Sequence, residues 1–511
     1  MQPKLFRTVV LTIGLLRQLS PAEVANAVEP ATDIRIDLAK VSHTMAAGIG
    51  TSMPTIGPTA FWYEDLQLKT NRDCRGSNFG NFPPLHLGKA WDDIRSHARW
   101  LGLDFCRVEL DGRMYQPARR QFDWDNKEMQ TLNRVLDYCQ ANHVEVLLTQ
   151  MWQDVEWNKH PGVGRLQSAP KSIEDFAHGL AKLMEHLIKT KGYTCIRWLS
   201  ITNEPGYAGC WWLGPDRKEA SIMPGIRAVR AELDQRGLQQ VGIAGPETFK
   251  MDMAEFEPGD KAVGVFTLHN YEDSVPREQF RETAELAHAR GIPFFASEIG
   301  NFFVAPHEEV EGNIAMGNPR SEAPRSFAAQ LLNAEKVLFG LNVGVDGFNR
   351  WSLVNRGDLD GQWQLLRTFN PITWEYNSEV DREPIPFYGF GILTRFVAKH
   401  SSVLQLESGS EQVVAAALRS PKGQLTLLIL NKSDQPEVVR LSLDHLNDSI
   451  KLHTYQVTES ALQEVDYRME SQLVWPLAPE NSDFSEVLPG KSITAYSTYK
   501  LAHTDPGITG E

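Results

Sequence analysis

Between residues 46 and 353 the chain repeats one unit eight times: a short apolar run that ends in polar or glycine residues, followed in turn by charged, amphipathic stretches with helical spacing. The runs are "AAGIGTSM" (46–53), "DFCRVELDG" (104–112), "VEVLLTQMW" (144–152) and "CIRWLSITNEP" (195–205). They continue with "QVGIAGPET" (240–248), "AVGVFTLHNY" (262–271), "PFFASEIGN" (293–301) and "VGVDGFNRWSL" (343–353). Segments such as 126–143, 172–190 and 278–291 supply the intervening helices. Continuous apolar strands separated by amphipathic helices predict a parallel sheet buried on both faces. Eight such units favour a closed (β/α)8 TIM barrel over an open doubly wound sheet. Residues 54–90, rich in Gly, Pro and Asn, are expected to form a long first loop over the barrel mouth.

The pattern changes after residue 397. "QVVAAALRSPKGQLTLLILNKS" (412–433) holds two strand-like runs around a Pro-Lys-Gly turn, and "EVVRLSLDHL" and "KSITAYSTYKL" alternate with period two. An antiparallel β-sandwich over residues 398–502 follows, with a tail at 503–511. The alternating "DIRIDLAK" (33–40) is expected to lend that sandwich a strand, so that residues 28–44 precede a catalytic barrel at 45–397.

Residues 1–27 read as a signal peptide: Lys4 and Arg7, the apolar "VVLTIGLL" (9–16), then Ala25-Asn26-Ala27. Secretion or periplasmic placement is the corresponding expectation. No later stretch approaches 18 uninterrupted apolar residues, so no membrane span is expected. A formal charge of −14 argues against nucleic acid as a partner, which needs clustered Lys and Arg. Five cysteines without CxxC spacing form no zinc motif; Cys106, Cys139 and Cys195 sit in apolar runs as core residues, while Cys74 and Cys210 could bridge two loops. "GIG" at 48–50 lacks the third glycine and the following helix of a dinucleotide site.

In such a barrel the C-terminal strand ends converge on one mouth, where chemistry is placed. The fourth run ends in Asn203-Glu204 and the seventh carries Glu298. The second brings Arg107, the third Trp152, the sixth His269 and Tyr271, and the eighth Trp351. Two carboxylates facing one pocket suit glycosidic cleavage, one protonated to donate to the leaving oxygen and one ionised to attack. Arg107 and Tyr271 would keep Glu298 ionised, while Asn203 would bond a hydroxyl next to the anomeric carbon. Glu109 and Asp111 are read as pointing elsewhere or lying in the loop. Trp152, Trp157, Trp211 and Trp212 fall in mouth loops, as sugar walls or as loop anchors.

"NEP" on the fourth strand, E-x-G on the seventh, Arg on the second, H-x-Y on the sixth and Trp on the eighth resemble clan A retaining glycoside hydrolases, over roughly residues 45–397. The nearest likeness is to the cellulase-type family 5, with families 30 and 39, which append a β-sandwich, as competitors. The resemblance implies Glu204 as acid/base, Glu298 as nucleophile, Trp351 as a floor for the sugar, retention at a β-linkage and an oligo- or polysaccharide substrate without cofactor or metal. Where family 5 enzymes often carry His at the end of the third strand, this chain has Thr149-Gln150-Met151-Trp152. The competing readings are weaker. A metal-dependent barrel hydrolase wants H-x-H on the first strand, and a Schiff-base aldolase wants Lys at a strand end. A non-catalytic carbohydrate-binding barrel would have little need of both glutamates.

Overall fold

A computed structural model describes residues 32–56, 82–206, 212–249, 260–301, 325–354, 363–370 and 375–509. The N-terminal run 1–27, Cys74, Cys210, Trp211 and most of the expected first loop lie outside these residues. The first strand, β1 (Thr32–Thr44), belongs to the C-terminal sheet. The next eight are β2 (Ile49–Pro54), β3 (Phe105–Asp111), β4 (Glu145–Trp152), β5 (Ile196–Ser200), β6 (Gly242–Thr248), β7 (Val265–Asn270), β8 (Phe294–Ile299) and β9 (Gly347–Arg350). They form a closed barrel in chain order, every pair parallel, with β9 returning to β2 through Ile49↔Phe348. The expected (β/α)8 barrel is therefore present.

The strands are short and their connecting helices begin where the sequence supplies a cap. Asn126, Ser172 and Ser326 each accept a hydrogen bond from the backbone three residues on, opening helices Lys127–Ala141, Ile173–Glu185 and Phe327–Val343. Each such cap stabilises its helix by about 1 kcal/mol. At Gly50 a Cβ would lie 1.4 Å from the Phe105 carbonyl oxygen, so only glycine lets β2 approach β3.

The barrel interior has two storeys. Its floor is apolar, formed by Ala47, Phe105, Leu147, Ala244, Val265 and Phe295 with Trp198 against them. Phe105, Trp198 and Phe295 close it with ring centroids 4.8–5.5 Å apart. Above this plug, toward the strand C-termini, the inward side chains become polar.

Beyond the barrel, β10 (Leu366–Asn370) and β11 (Glu375–Arg382) pair antiparallel. The remaining strands are β12 (Ser402–Ser408), β13 (Val413–Arg419), β14 (Leu425–Asn431), β15 (Glu437–Asp444), β16 (Ile450–Thr458), β17 (Leu473–Leu477), β18 (Asp483–Leu488) and β19 (Ser492–Ser497). Together with β1 they make a nine-stranded sheet in the order β17-β16-β19-β14-β13-β12-β1-β15-β18. All its pairs are antiparallel except β1 with β15. One face packs on itself through Ile34, Ile36, Leu427, Ile429, Leu441 and Tyr496, as expected of a sandwich. Along β14 every residue is buried: Leu425, Leu427 and Ile429 join that inner core, whereas Leu428 and Leu430 join the barrel's. A fully buried leucine contributes roughly 1.5–3 kcal/mol, so this strand is anchored from both sides. No helix among the described residues is long and apolar enough to cross a membrane.

Candidate active site

Alternation along β3 builds the centre of the site. Phe105 belongs to the floor, and two and four residues on, Arg107 and Glu109 stand above it on the same face. Arg107 is completely buried. Its Nη1 donates to Glu298 Oε2 at 2.7 Å and to Glu109 Oε1 at 2.9 Å. Its Nε donates to Glu247 Oε2 at 3.1 Å, and Nη2 to Asn203 Oδ1 at 2.5 Å.

Two of these carboxylates reach the interior only because the ladder slips. Glu298 stands three residues past Phe295, out of phase with it, and the β8–β9 register shifts between Ala296 and Ile299. Glu247 stands three past Ala244, with a shift between Pro246 and Thr248. Such irregularities re-aim side chains at barrel rims. Glu204 and Glu247 both have left-handed backbone, with φ of 44° and 58°, and the Glu204 N–H donates to the Glu247 carbonyl at 2.7 Å. Non-glycine residues held there cost of order 1–3 kcal/mol each and cluster at functional sites.

His269 and Tyr271 complete the cluster from β7 and the residue just past it. His269 Nδ1 lies 2.9 Å from Glu204 Oε1 and 3.7 Å from Glu298 Oε2, and Nε2 lies 3.4 Å from Glu247 Oε2. The Tyr271 hydroxyl donates to Glu298 Oε1. One oxygen of Glu204, one of Glu298 and a ring nitrogen of His269 all fall within 4.8 Å of one another. That spacing would also suit a divalent cation, but the cation would share Glu298 with the Arg107 guanidinium and would need the His269 nitrogen that faces Glu204 free of hydrogen.

Burial and charge compete at each group. Burial alone would raise Glu247, yet Arg107 and His269 outweigh it and hold the carboxyl at about 2. Burial would lower His269, but Glu298, Glu204 and Glu247 raise it to about 10. Glu109 is pushed up to about 8 by burial, against the pull of Arg107. Glu298 is also pushed upward by burial, with His269, Arg107 and Tyr271 opposing. Arg107 and Tyr271 thus touch Glu298 as expected, but they work against desolvation and share the task with His269.

The structure brings Arg107, Asn203, Glu204, His269, Tyr271 and Glu298 together. Trp152 ends β4 and Trp351 follows β9, both nearly buried, and the Trp351 N–H donates to the Ile299 carbonyl at 2.9 Å. Two other tryptophans act as anchors. Trp157 Nε1 donates to the Gln116 carbonyl, and buried Trp212 donates to the Ser221 carbonyl and meets Phe176 edge-on at 5.7 Å. Glu109 corrects the reading that sent it elsewhere: it lies in β3, buried and paired with Arg107. Asp111 is likewise in the strand rather than a loop, and buried. Glu247 was missed, as was Trp363, whose Nε1 donates to the Asn301 carbonyl at 2.8 Å and whose ring meets Tyr271 edge-on at 5.7 Å. Lys336 donates to the carbonyls of Glu272 and Gly300 at 2.6 and 2.8 Å, tying together the chain just beyond β7 and β8.

Gly300 gives Tyr271 its place, since a Cβ there would meet the ring's Cε1 at 2.7 Å. Gly300→Ala is expected to push the phenol off Glu298 and lower kcat about 10- to 100-fold, with little change in melting temperature. Steady-state kinetics and calorimetry of the variant check this, and unchanged kcat would refute it.

A family model described as cellulase (glycosyl hydrolase family 5) matches residues 73–311. No curated protein sequence matches the chain. Among solved structures the chain is similar to a glycoside hydrolase family 30 subfamily 8 xylanase from Clostridium acetobutylicum, at 16% identity and TM-score 0.59, covering 91% of this chain and 99% of that one. It is similar to the catalytic domain of a family 30 xylanase from Talaromyces cellulolyticus, at 13% identity and TM-score 0.56, over 91% and 99%. An α-L-arabinofuranosidase from Thermotoga maritima matches at 10% identity and TM-score 0.58, over 92% and 100%. Likeness at these identities establishes the shared fold, a barrel carrying a β-domain. Combined with the family match across the strands that carry Arg107, Glu204, His269 and Glu298, it makes the chain an O-glycosyl hydrolase of clan A, with families 5 and 30 as its competing affiliations.

Proposed function

We propose that the enzyme cleaves β-glycosidic bonds of an oligo- or polysaccharide by double displacement, with Glu204 as acid/base and Glu298 as nucleophile. The observation that carries this reading is the proximity of the two carboxylates, oxygens of each lying within 4.8 Å. Retaining enzymes hold their carboxyl groups about 5–5.5 Å apart, whereas inverting enzymes need about 6.5–9.5 Å to admit a water.

In the first step Glu298 attacks the anomeric carbon while Glu204 gives its proton to the departing oxygen. In the second, Glu204 takes a proton from water, which attacks the glycosyl ester and frees Glu298. Arg107 and Tyr271, one on each Glu298 oxygen, orient the nucleophile. His269 Nδ1 faces one Glu204 oxygen at 2.9 Å and, when protonated, donates to it, leaving the other oxygen to carry the proton. Asn203, its amide oxygen held by Arg107, has its amide nitrogen turned into a donor for the hydroxyl next to the anomeric carbon. Trp351 and Trp152 serve as stacking surfaces for the sugar. The N-terminal run supports export to the periplasm or medium.

The stereochemistry of the first product tests the mechanism. Proton NMR of early hydrolysis is expected to show the β-anomer before mutarotation, and an activated 2-deoxy-2-fluoro-β-glycoside is expected to label Glu298. A first-formed α-anomer, or label on another residue, would overturn the assignment.

A further inference from the structure

The geometry points to Glu247 as a positioning residue whose fixed negative charge keeps the transferable proton on Glu204 and holds His269 as a donor to it; this rests on the roles proposed above for Glu204 and Glu298. Glu247 is 1% exposed, and its Oε2 faces both buried cations, Arg107 Nη2 at 3.0 Å and His269 Nε2 at 3.4 Å. His269 Nδ1 meanwhile faces Glu204 Oε1 at 2.9 Å. With the ionised Glu247 at one nitrogen and Glu204 at the other, the ring donates to both when both nitrogens carry hydrogen. Against burial, the three carboxyl groups around it favour that cationic form, raising it to about 10.

The charges around the site then determine where protons stay. Arg107 and Glu109 come from β3, Asn203 and Glu204 follow β5, and Glu247 stands one residue before the end of β6. His269 and Tyr271 come from β7 and its end, and Ser297 and Glu298 from β8. These supply two cations and four carboxylates. Arg107, Glu109, Glu247, His269 and Glu298 are buried and Glu204 is partly buried, so uncompensated charge among them is costly; two carboxylates ionise against the two cations and two retain protons. Glu247, touching both cations, takes one negative charge. Glu298, receiving hydrogen bonds from Arg107 and Tyr271, takes the other. Glu109 and Glu204 remain protonated, and the elevation of Glu109 to about 8 fits this partition. Without the Glu247 charge the two cations face only three carboxylates, and Glu204 loses its proton at lower pH.

Substitution separates this charge from the backbone role, because the Glu247 carbonyl that accepts from Glu204 and the Glu247 N–H that donates to Thr267 Oγ1 at 3.0 Å survive any side-chain change. The test is the pH profile of kcat/KM for an aryl β-glycoside. Glu247→Gln is expected to move the alkaline limb down by about one pH unit or more and to lower kcat at pH 7 at least about 10-fold. Glu247→Asp is expected to keep the limb near its wild-type position. A limb unmoved in Glu247→Gln, whatever its rate, or moved equally in Glu247→Asp, overturns the proposal. An independent readout on the unmodified enzyme is nitrogen-15 NMR of His269, expected to show both ring nitrogens protonated at pH 7; a neutral ring overturns the proposal even where a variant fails to fold. The fluoroglycoside label separates the two readings: label on Glu298 with an unmoved limb removes only the role of Glu247, whereas label elsewhere removes the mechanism itself.

Discussion

Glu298→Gln is expected to abolish turnover of an aryl β-glycoside to roughly 10⁴-fold below wild type or less, the magnitude typical of losing an enzymatic nucleophile. The amide is close in shape to the carboxylate: its one oxygen can still accept from Arg107, while its NH2 faces the Tyr271 hydroxyl, which can turn to accept, so the loss reports chemistry rather than collapse of the cluster. Glu204→Gln should behave differently. General acid catalysis contributes about 10²–10⁴-fold, and a good leaving group needs little of it, so formation of the glycosyl ester survives and its hydrolysis becomes limiting. Azide, a nucleophile that needs no general base, is expected to restore turnover of such a substrate and to yield a β-glycosyl azide with the Glu204 variant alone. Wild-type rates in both variants would sink the assignment.

Arg107→Met is expected to produce the second large effect, on stability as well as rate. The guanidinium compensates Glu247 and Glu298 in a fully buried site and touches Glu109 and Asn203 as well. Methionine fills much of the same volume but leaves those carboxylates facing one cation, His269. Removing one partner of a buried ion pair typically costs about 3–5 kcal/mol because the other charge stays uncompensated. The variant should melt at a clearly lower temperature at pH 7 and recover part of that deficit at about pH 5, where the orphaned carboxylates take up protons. A melting curve equal to wild type at both pH values would show that Arg107 does not carry the cluster.

The barrel was legible in the sequence because a strand buried on both faces leaves an unmistakable apolar run, and eight of them recur between helices. Glu204 and Glu298 were legible because each stands at the polar end of such a run. Glu109 was misplaced although its own strand marks it: with Arg107 inside, the residue two positions on shares its face. Glu247 is harder. Counting by two from Ala244 turns Pro246 inward and Glu247 outward, and only the slipped register between Pro246 and Thr248 reverses this. No local sequence rule reports that slip. Trp363 was hidden for another reason, since it reaches Tyr271 from a segment beyond the eighth strand.

The doubly covered strand Leu425–Asn431 bears on how the molecule can be taken apart. With Leu428 and Leu430 serving one hydrophobic nucleus and Leu427 and Ile429 the other, severing the chain near residue 400 would strip a greasy flank from the catalytic half and leave it prone to aggregation. The C-terminal module is thus no detachable accessory. Heat or denaturant should melt both halves in a single cooperative transition.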